Sequence, residues 1–174
     1  MKRFNVLCCA IALLLCFPAY ATDIAVVDMQ RVMGKSKAAN SARDQLDAKQ
    51  KNFQKEVSAT ESNLQAKDKE LAKQRGLLSS EEFNKKLKDF RQKAATAQSD
   101  VQQKRLKLRR AFEGSIVTIQ NKVTKIVSSI AKEKNMDMVI PSTQSLYVKP
   151  DLDITDEVLK RLDKELPSMK VDFK

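Results

Sequence analysis

The chain has 174 residues, with 33 Lys and Arg against 22 Asp and Glu, a net charge of +11 and no histidine. Its three cysteines, Cys8, Cys9 and Cys16, all lie near the N-terminus, so everything after Cys16 lacks both thiol and imidazole. That composition excludes zinc chemistry and nucleophile-plus-histidine catalysis, and it leaves stability to packing without disulfides.

Residues 1–21 read as an export signal. Lys2 and Arg3 supply the positive start, Phe4 to Phe17 the apolar stretch, and Ala19-Tyr20-Ala21 the small-residue site, so cleavage is expected between Ala21 and Thr22. The apolar run falls short of the roughly 20 residues that span a bilayer. Leu15 also stands where a lipoprotein signal needs a small residue before Cys16. The expected product is a soluble exported protein that enters an oxidising compartment with no cysteine left.

Ile24-Ala25-Val26-Val27 reads as a buried strand. No proline occurs from Thr22 to Ile140, so long helices follow. From about Asn40 to Arg75 apolar residues recur every seventh place at Val57, Leu64, Leu71 and Leu78, with Leu46 and Phe53 in the alternate seam position of a coiled coil. Beyond Phe53 that alternate position turns polar, at Thr60, Lys67 and Gln74, so the seam weakens outward. Gly76 is expected to end the helix in a left-handed conformation, and Ser79 with Glu82 has capping-box spacing for the next one. Residues 76–80 are therefore the tip of a helical hairpin.

The return helix carries Phe83, Leu87, Phe90, Ala94, Ala97 and Val101 at alternating steps of four and three, and can zip against the outgoing one. After Leu108 the frame slips, with Phe112 and Ile116 at four and four, a stutter that unwinds a coiled coil locally. Ile116, Ile119, Val123, Ile126, Val127 and Ile130 then form a broader stripe expected to be buried. A helix from Glu81 to Lys134 would be on the order of 80 Å long. Met136 to Ile140 and Ser145 to Val148 read as a second and third strand, with a turn at Pro141 to Gln144. A final amphipathic helix is expected from about Thr155 to Glu165, with Val158, Leu159, Leu162 and Leu166 on one side and Pro167 as its stop.

The expected fold is mainly α with a small β body. Residues 22–39 and 113–174 form a discontinuous body, and residues 40–112 form an antiparallel helical arm. Three short strands leave their edges unpaired around a small core. Sharing strands among identical chains solves both problems, which makes Ile24, Val26, Met138, Val139, Ile140, Leu146, Tyr147 and Val148 the candidate oligomerisation residues.

Charge is concentrated in the arm. Residues 40–112 hold 18 Lys and Arg against 10 Asp and Glu, a net of +8, whereas the rest of the chain after Ala21 holds 13 against 12. The densest run is Lys104, Arg105, Lys107, Arg109 and Arg110, with Lys85, Lys86, Lys88, Arg91 and Lys93 nearer the tip. Any one of these clusters alone could be a solvated face. Taken as a whole, a loosely seamed arm of one sign can attract acidic chains or anionic lipid headgroups, while its exposed Leu and Phe side chains make weak apolar contacts. These ten residues are the candidate client-binding set.

In order and spacing, the segments resemble the Skp (OmpH) family of periplasmic chaperones over essentially all of the chain after Ala21. The resemblance is carried by Ile24-Ala25-Val26-Val27-Asp28-Met29, Leu64-Gln65-Ala66-Lys67, Met136-Asp137-Met138-Val139-Ile140 and Asp153-Ile154-Thr155-Asp156-Glu157-Val158-Leu159-Lys160. It implies a homotrimer whose subunits contribute strands to a central β-barrel body, with three helical arms enclosing a cavity. There unfolded outer-membrane β-barrel precursors are held without ATP and kept from aggregating. It also implies contact with lipopolysaccharide, for which no residue-level match is found. The chain has no glycine-rich phosphate loop, and no cofactor or metal is expected.

Two other classes fit less well. A specific nucleic-acid binder would need a helix-turn-helix, a zinc site or an aromatic platform beside the basic charge, and none is visible. A structural or docking coiled coil of the envelope would favour a seam apolar at both positions throughout. No cluster offers a placed acid, base and nucleophile, so an enzyme is not expected.

Overall fold

The computed structural model describes residues 22–174, so the signal and the cleavage site at Ala21 fall outside the described residues. Strand β1 (Ile24–Val27) pairs in parallel with β2 (Met138–Pro141), Ile24 lying opposite Met138 and Val27 opposite Pro141. Parallel partners need a long crossover. Here the crossover is nearly the whole molecule: α1 (Met29–Lys35), α2 (Lys37–Gln74) and α3 (Ser80–Glu133). The other edge of β1 meets the C-terminal segment, where the Ile154 N–H donates to the Val26 carbonyl at 3.0 Å and the Asp28 N–H to Thr155 Oγ1 at 2.8 Å.

Helix α1 was not expected from the sequence. Its seven residues are too few for a periodic stripe, and the one local signal is the Asp28 cap, whose carboxylate accepts from the Arg31 N–H at 2.9 Å. Ser36 closes α1 and caps α2, accepting from the Ala39 N–H at 3.3 Å while itself fully buried. The small side chains of Ala38, Ala39 and Ala42 then let the foot of α2 sit close to its neighbours.

Helices α2 and α3 form the expected antiparallel hairpin, 38 and 54 residues long, the second spanning about 80 Å at 1.5 Å per residue. Their seam consists of half-buried Phe53, Val57, Leu64 and Leu71 facing Phe83, Leu87, Phe90, Ala94, Ala97 and Val101. Thr60 and Lys67 are exposed, as the weakening seam requires, and Gln74 is half-buried. The capping box at Ser79 and Glu82 is present in both directions. The tip itself differs from expectation. Gly76 has no positive φ, because the Gln74 carbonyl accepts from both Leu77 N–H at 3.0 Å and Leu78 N–H at 3.1 Å, and these right-handed turns finish the helix unaided. The left-handed residue is Asn135, with φ of 54°, which ends α3 and redirects the chain into β2.

The stutter exists but is displaced by one residue. Ala111, Ser115 and Ile119 are buried, whereas Phe112 is 53% exposed. The reason is steric: the foot of α2 presents Ala42 and Leu46 here, and small Ala111 and Ser115 fit the close approach where a phenyl ring would not. The Ser115 hydroxyl is satisfied by donating to the Ala111 carbonyl at 2.7 Å.

The body core gathers Ala25, Val27, Val32, Ile119, Val123, Ile126, Ile130, Ile154, Val158 and Leu162, contributed by both ends of the chain. Helix α4 (Thr155–Glu165) buries Val158 and Leu162 as its pattern predicts. The third strand does not form. Residues 145–148 lie between two short 3-10 turns, with Leu146 and Tyr147 exposed, because no strand edge of the same chain reaches them. β2 also starts at Met138 rather than Met136, since the Met136 N–H is taken by the Ala131 carbonyl at 2.8 Å.

Candidate functional site

The ten basic candidates all lie exposed on α3, on both halves of the hairpin's long side. Lys104 is paired across the hairpin with Glu56, and Arg109 sits 3.9 Å from Glu113 one turn on. Lys86 donates to Gln74 Oε1 at 2.7 Å. Among the described residues the other candidates, Lys85, Lys88, Arg91, Lys93, Arg105, Lys107 and Arg110, have no carboxylate within 4.0 Å. The Lys104 ammonium, hydrogen-bonded to Glu56, holds that carboxyl below its ordinary range. The rest of the stripe is free cationic charge.

Apolar surface lies beside it at the root of the arm. A groove of about 490 Å³ is lined by Leu46, Leu108, Phe112, Ile116 and Ile119, with Arg43, Asp47 and Arg109 at its rim. Phe112 becomes its exposed aromatic member because the one-residue shift of the stutter turns the ring out of the seam. Sequence reasoning placed Phe112 in the seam and missed the groove, since the displacement depends on the small residues of the facing helix. It also missed the C-terminal residues Met169, Val171 and Phe173, which cover Ala42, Ala111 and Leu46. The available signal there was three apolar residues at alternate positions, short for a strand pattern.

The oligomerisation candidates divide into two groups. Val26 is buried inside the chain, and Val139, Ile140 and Val148 are half-buried. Ile24 (38% exposed) and Met138 (52%) are register partners and face out together, and Leu146 and Tyr147 are exposed nearby in sequence. The body behind them is clamped by ions. Arg161 makes hydrogen bonds of 2.7 Å to each Glu133 oxygen and 2.6 Å to Glu157, and Lys134 reaches Glu157 at 2.6 Å. Arg161, with help from Ser129, holds the Glu133 carboxyl down at about 2, and Lys134 does the same in direction for Glu157.

This arrangement sets a field of cationic charge along the arm beside open apolar surface at its root. Among the described residues no group of His, Cys, Asp and Glu could hold a metal ion, and no helix is long and apolar enough to cross a membrane.

Comparison with known proteins adds a family. The family described as Outer membrane protein (OmpH-like) matches residues 23–162. An uncharacterized protein of Aquifex aeolicus is 32% identical over 171 residues, covering 94% of this chain and 98% of its own. Chaperone protein Skp of Yersinia enterocolitica is 26% identical over 142 residues, covering 82% and 87%. A crystal structure from Caulobacter crescentus, described as an OmpH-like outer membrane chaperone, superimposes with a TM-score of 0.80 over 87% of this chain and 90% of its own at 14% identity, a likeness of fold.

Proposed function

The chain belongs to the OmpH-like outer membrane protein family, and from that premise we propose that it is an ATP-independent periplasmic holdase for unfolded outer-membrane β-barrel precursors. The observation that carries the reading is the long hairpin whose cations are mostly unpaired and whose root opens into an apolar groove. Charge gathers an acidic, unfolded polypeptide from a distance, and many weak apolar contacts retain it without a single tight site. Anionic lipid or lipopolysaccharide headgroups are a further partner for the same cations.

The working unit is an oligomer, a trimer in the form the family resemblance implies. Two strands make a poor sheet alone, and the outward pair Ile24 and Met138, with Leu146 and Tyr147, supplies apolar surface that other copies would cover. Strands shared among chains would close a barrel and remove the free edge of β2.

Dilution of an unfolded β-barrel membrane protein from denaturant into purified protein tests the function. Suppressed aggregation without nucleotide is expected, and unchanged aggregation refutes the holdase reading. Sedimentation at micromolar concentration tests assembly, where a stable folded monomer would rule out strand sharing. The exported protein should have Thr22 as its first residue.

A further inference from the structure

After Pro167 the chain runs without regular structure across the root of the arm, and its burial alternates. Met169, Val171 and Phe173 pack on Ala42, Ala111 and Leu46, while Lys170, Asp172 and Lys174 remain exposed. A period of two is the mark of an extended strand laying one face on an apolar surface. Its backbone edge is read too. The Gln45 side-chain amide donates to the Met169 carbonyl at 2.5 Å and accepts from the Val171 N–H at 3.2 Å, and Ser41 Oγ donates to the same carbonyl at 3.4 Å. A carbonyl and the N–H two residues on face one edge of an extended chain, so this one amide bonds as a neighbouring strand would. Such bonds ignore the identity of the occupant's side chains.

The track outruns the tail that fills it. The Phe173 ring stops with Lys49 Nζ 5.8 Å from its centre, at the wall of a hollow of about 230 Å³ that continues between Phe53 and Leu108. The match to the family model ends at residue 162, before the tail begins.

We propose that the root of the arm is a binding track for an extended polypeptide segment with apolar residues at alternate positions, occupied here by the chain's own Met169–Phe173. The inference rests on the holdase reading and deepens it. Strands of a membrane β-barrel alternate apolar and polar residues, so an unfolded precursor carries many segments of this pattern. The tail lies outside any helix or strand, and its backbone at Met169 and Val171 is held by side-chain hydrogen bonds with Ser41 and Gln45. It is therefore of the kind that opens locally before a core does, and it yields its place to such a precursor segment. The empty track is thereby kept from collecting other copies of the protein.

The test uses a fluorescently labelled hexapeptide with the sequence of residues 169–174 and the full chain, wild type or carrying Val171→Asp with Phe173→Ser to unlatch the tail. Anisotropy at about 0.15 M salt should give binding at least about tenfold tighter to the unlatched chain. Adding Gln45→Ala should lose about tenfold, and a peptide with Asp in place of its Val should not bind. Equal affinity for both chains overturns the proposal, as does no binding to an unlatched chain that keeps wild-type helicity and mass. Hydrogen exchange on the unmodified chain guards against a misfolded variant: the Val171 amide should be protected alone and exchange about tenfold faster with excess peptide. An amide unprotected from the start, or still protected at millimolar peptide, overturns the proposal as well. Aggregation suppression without peptide binding removes this inference alone, whereas peptide binding without suppression removes the holdase reading alone.

Discussion

Among the described residues Arg105, Lys107 and Arg110 are the cations of the dense run with no carboxylate partner, so neutralising them removes field without orphaning an acid. Two unit charges about 10 Å apart in water interact by roughly 0.4 kcal/mol, so losing three costs about 1.2 kcal/mol per unit of client charge brought that near. Screening leaves about 0.9 kcal/mol at 0.01 M salt, where the Debye length is about 30 Å, and about 0.35 kcal/mol at 0.15 M, where it is about 8 Å. The triple variant Arg105→Gln, Lys107→Gln, Arg110→Gln should therefore associate with an acidic unfolded client about fivefold more slowly at low salt and about twofold more slowly at physiological salt, per such charge. Dissociation should change less, because escape depends on close contacts. The control is Lys104→Gln with Glu56→Gln, which removes a pair without altering net charge and should leave the on-rate unchanged. Stopped-flow association across a salt series measures both. An unchanged on-rate and salt slope in the triple variant would refute the steering argument and return these residues to the role of a solvated face.

Excising residues 50–104 and closing the gap with a short turn should leave the body folded at its oligomeric mass while client holding is lost, as sedimentation and the aggregation assay would report. Leu162→Ala should destabilise the body by about 2–5 kcal/mol in urea unfolding, because the side chain is fully buried in a core drawn from both chain ends. Glu133 titrates at about 2 in the fold against an ordinary 4.5, so its contribution is present above pH 4.5 and is lost as the pH falls toward 2. Glu133→Gln should accordingly flatten the loss of thermal stability over that interval, and an unaltered pH profile would show that the Arg161 clamp contributes nothing.

The sequence by itself determined what repeats. Seven-residue periodicity, a proline-free stretch and a capping box set out a long hairpin with its tip beside Ser79, and the drift to Thr60 and Lys67 announced its loose seam. These are properties of one helix read against its own axis, so local spacing carries them. Helix α4 was legible for the same reason, with Val158 and Leu162 one turn apart and Pro167 as a stop. Tertiary structure decided whatever depends on a second surface. Ala111 rather than Phe112 packs against Ala42 and Leu46 of the facing helix, leaving Phe112 exposed at the groove, and no periodicity in α3 contains that fact. Residues 145–148 have the composition of a strand, but the fold leads them away from the sheet and they pair with neither β1 nor β2. The tail shows the converse: three alternate apolar residues too few to signal a strand become ordered where Gln45, fixed more than a hundred residues earlier in the chain, supplies the missing hydrogen-bonding edge. Spacing along the chain settles which face an element presents, and only the fold settles what that face meets.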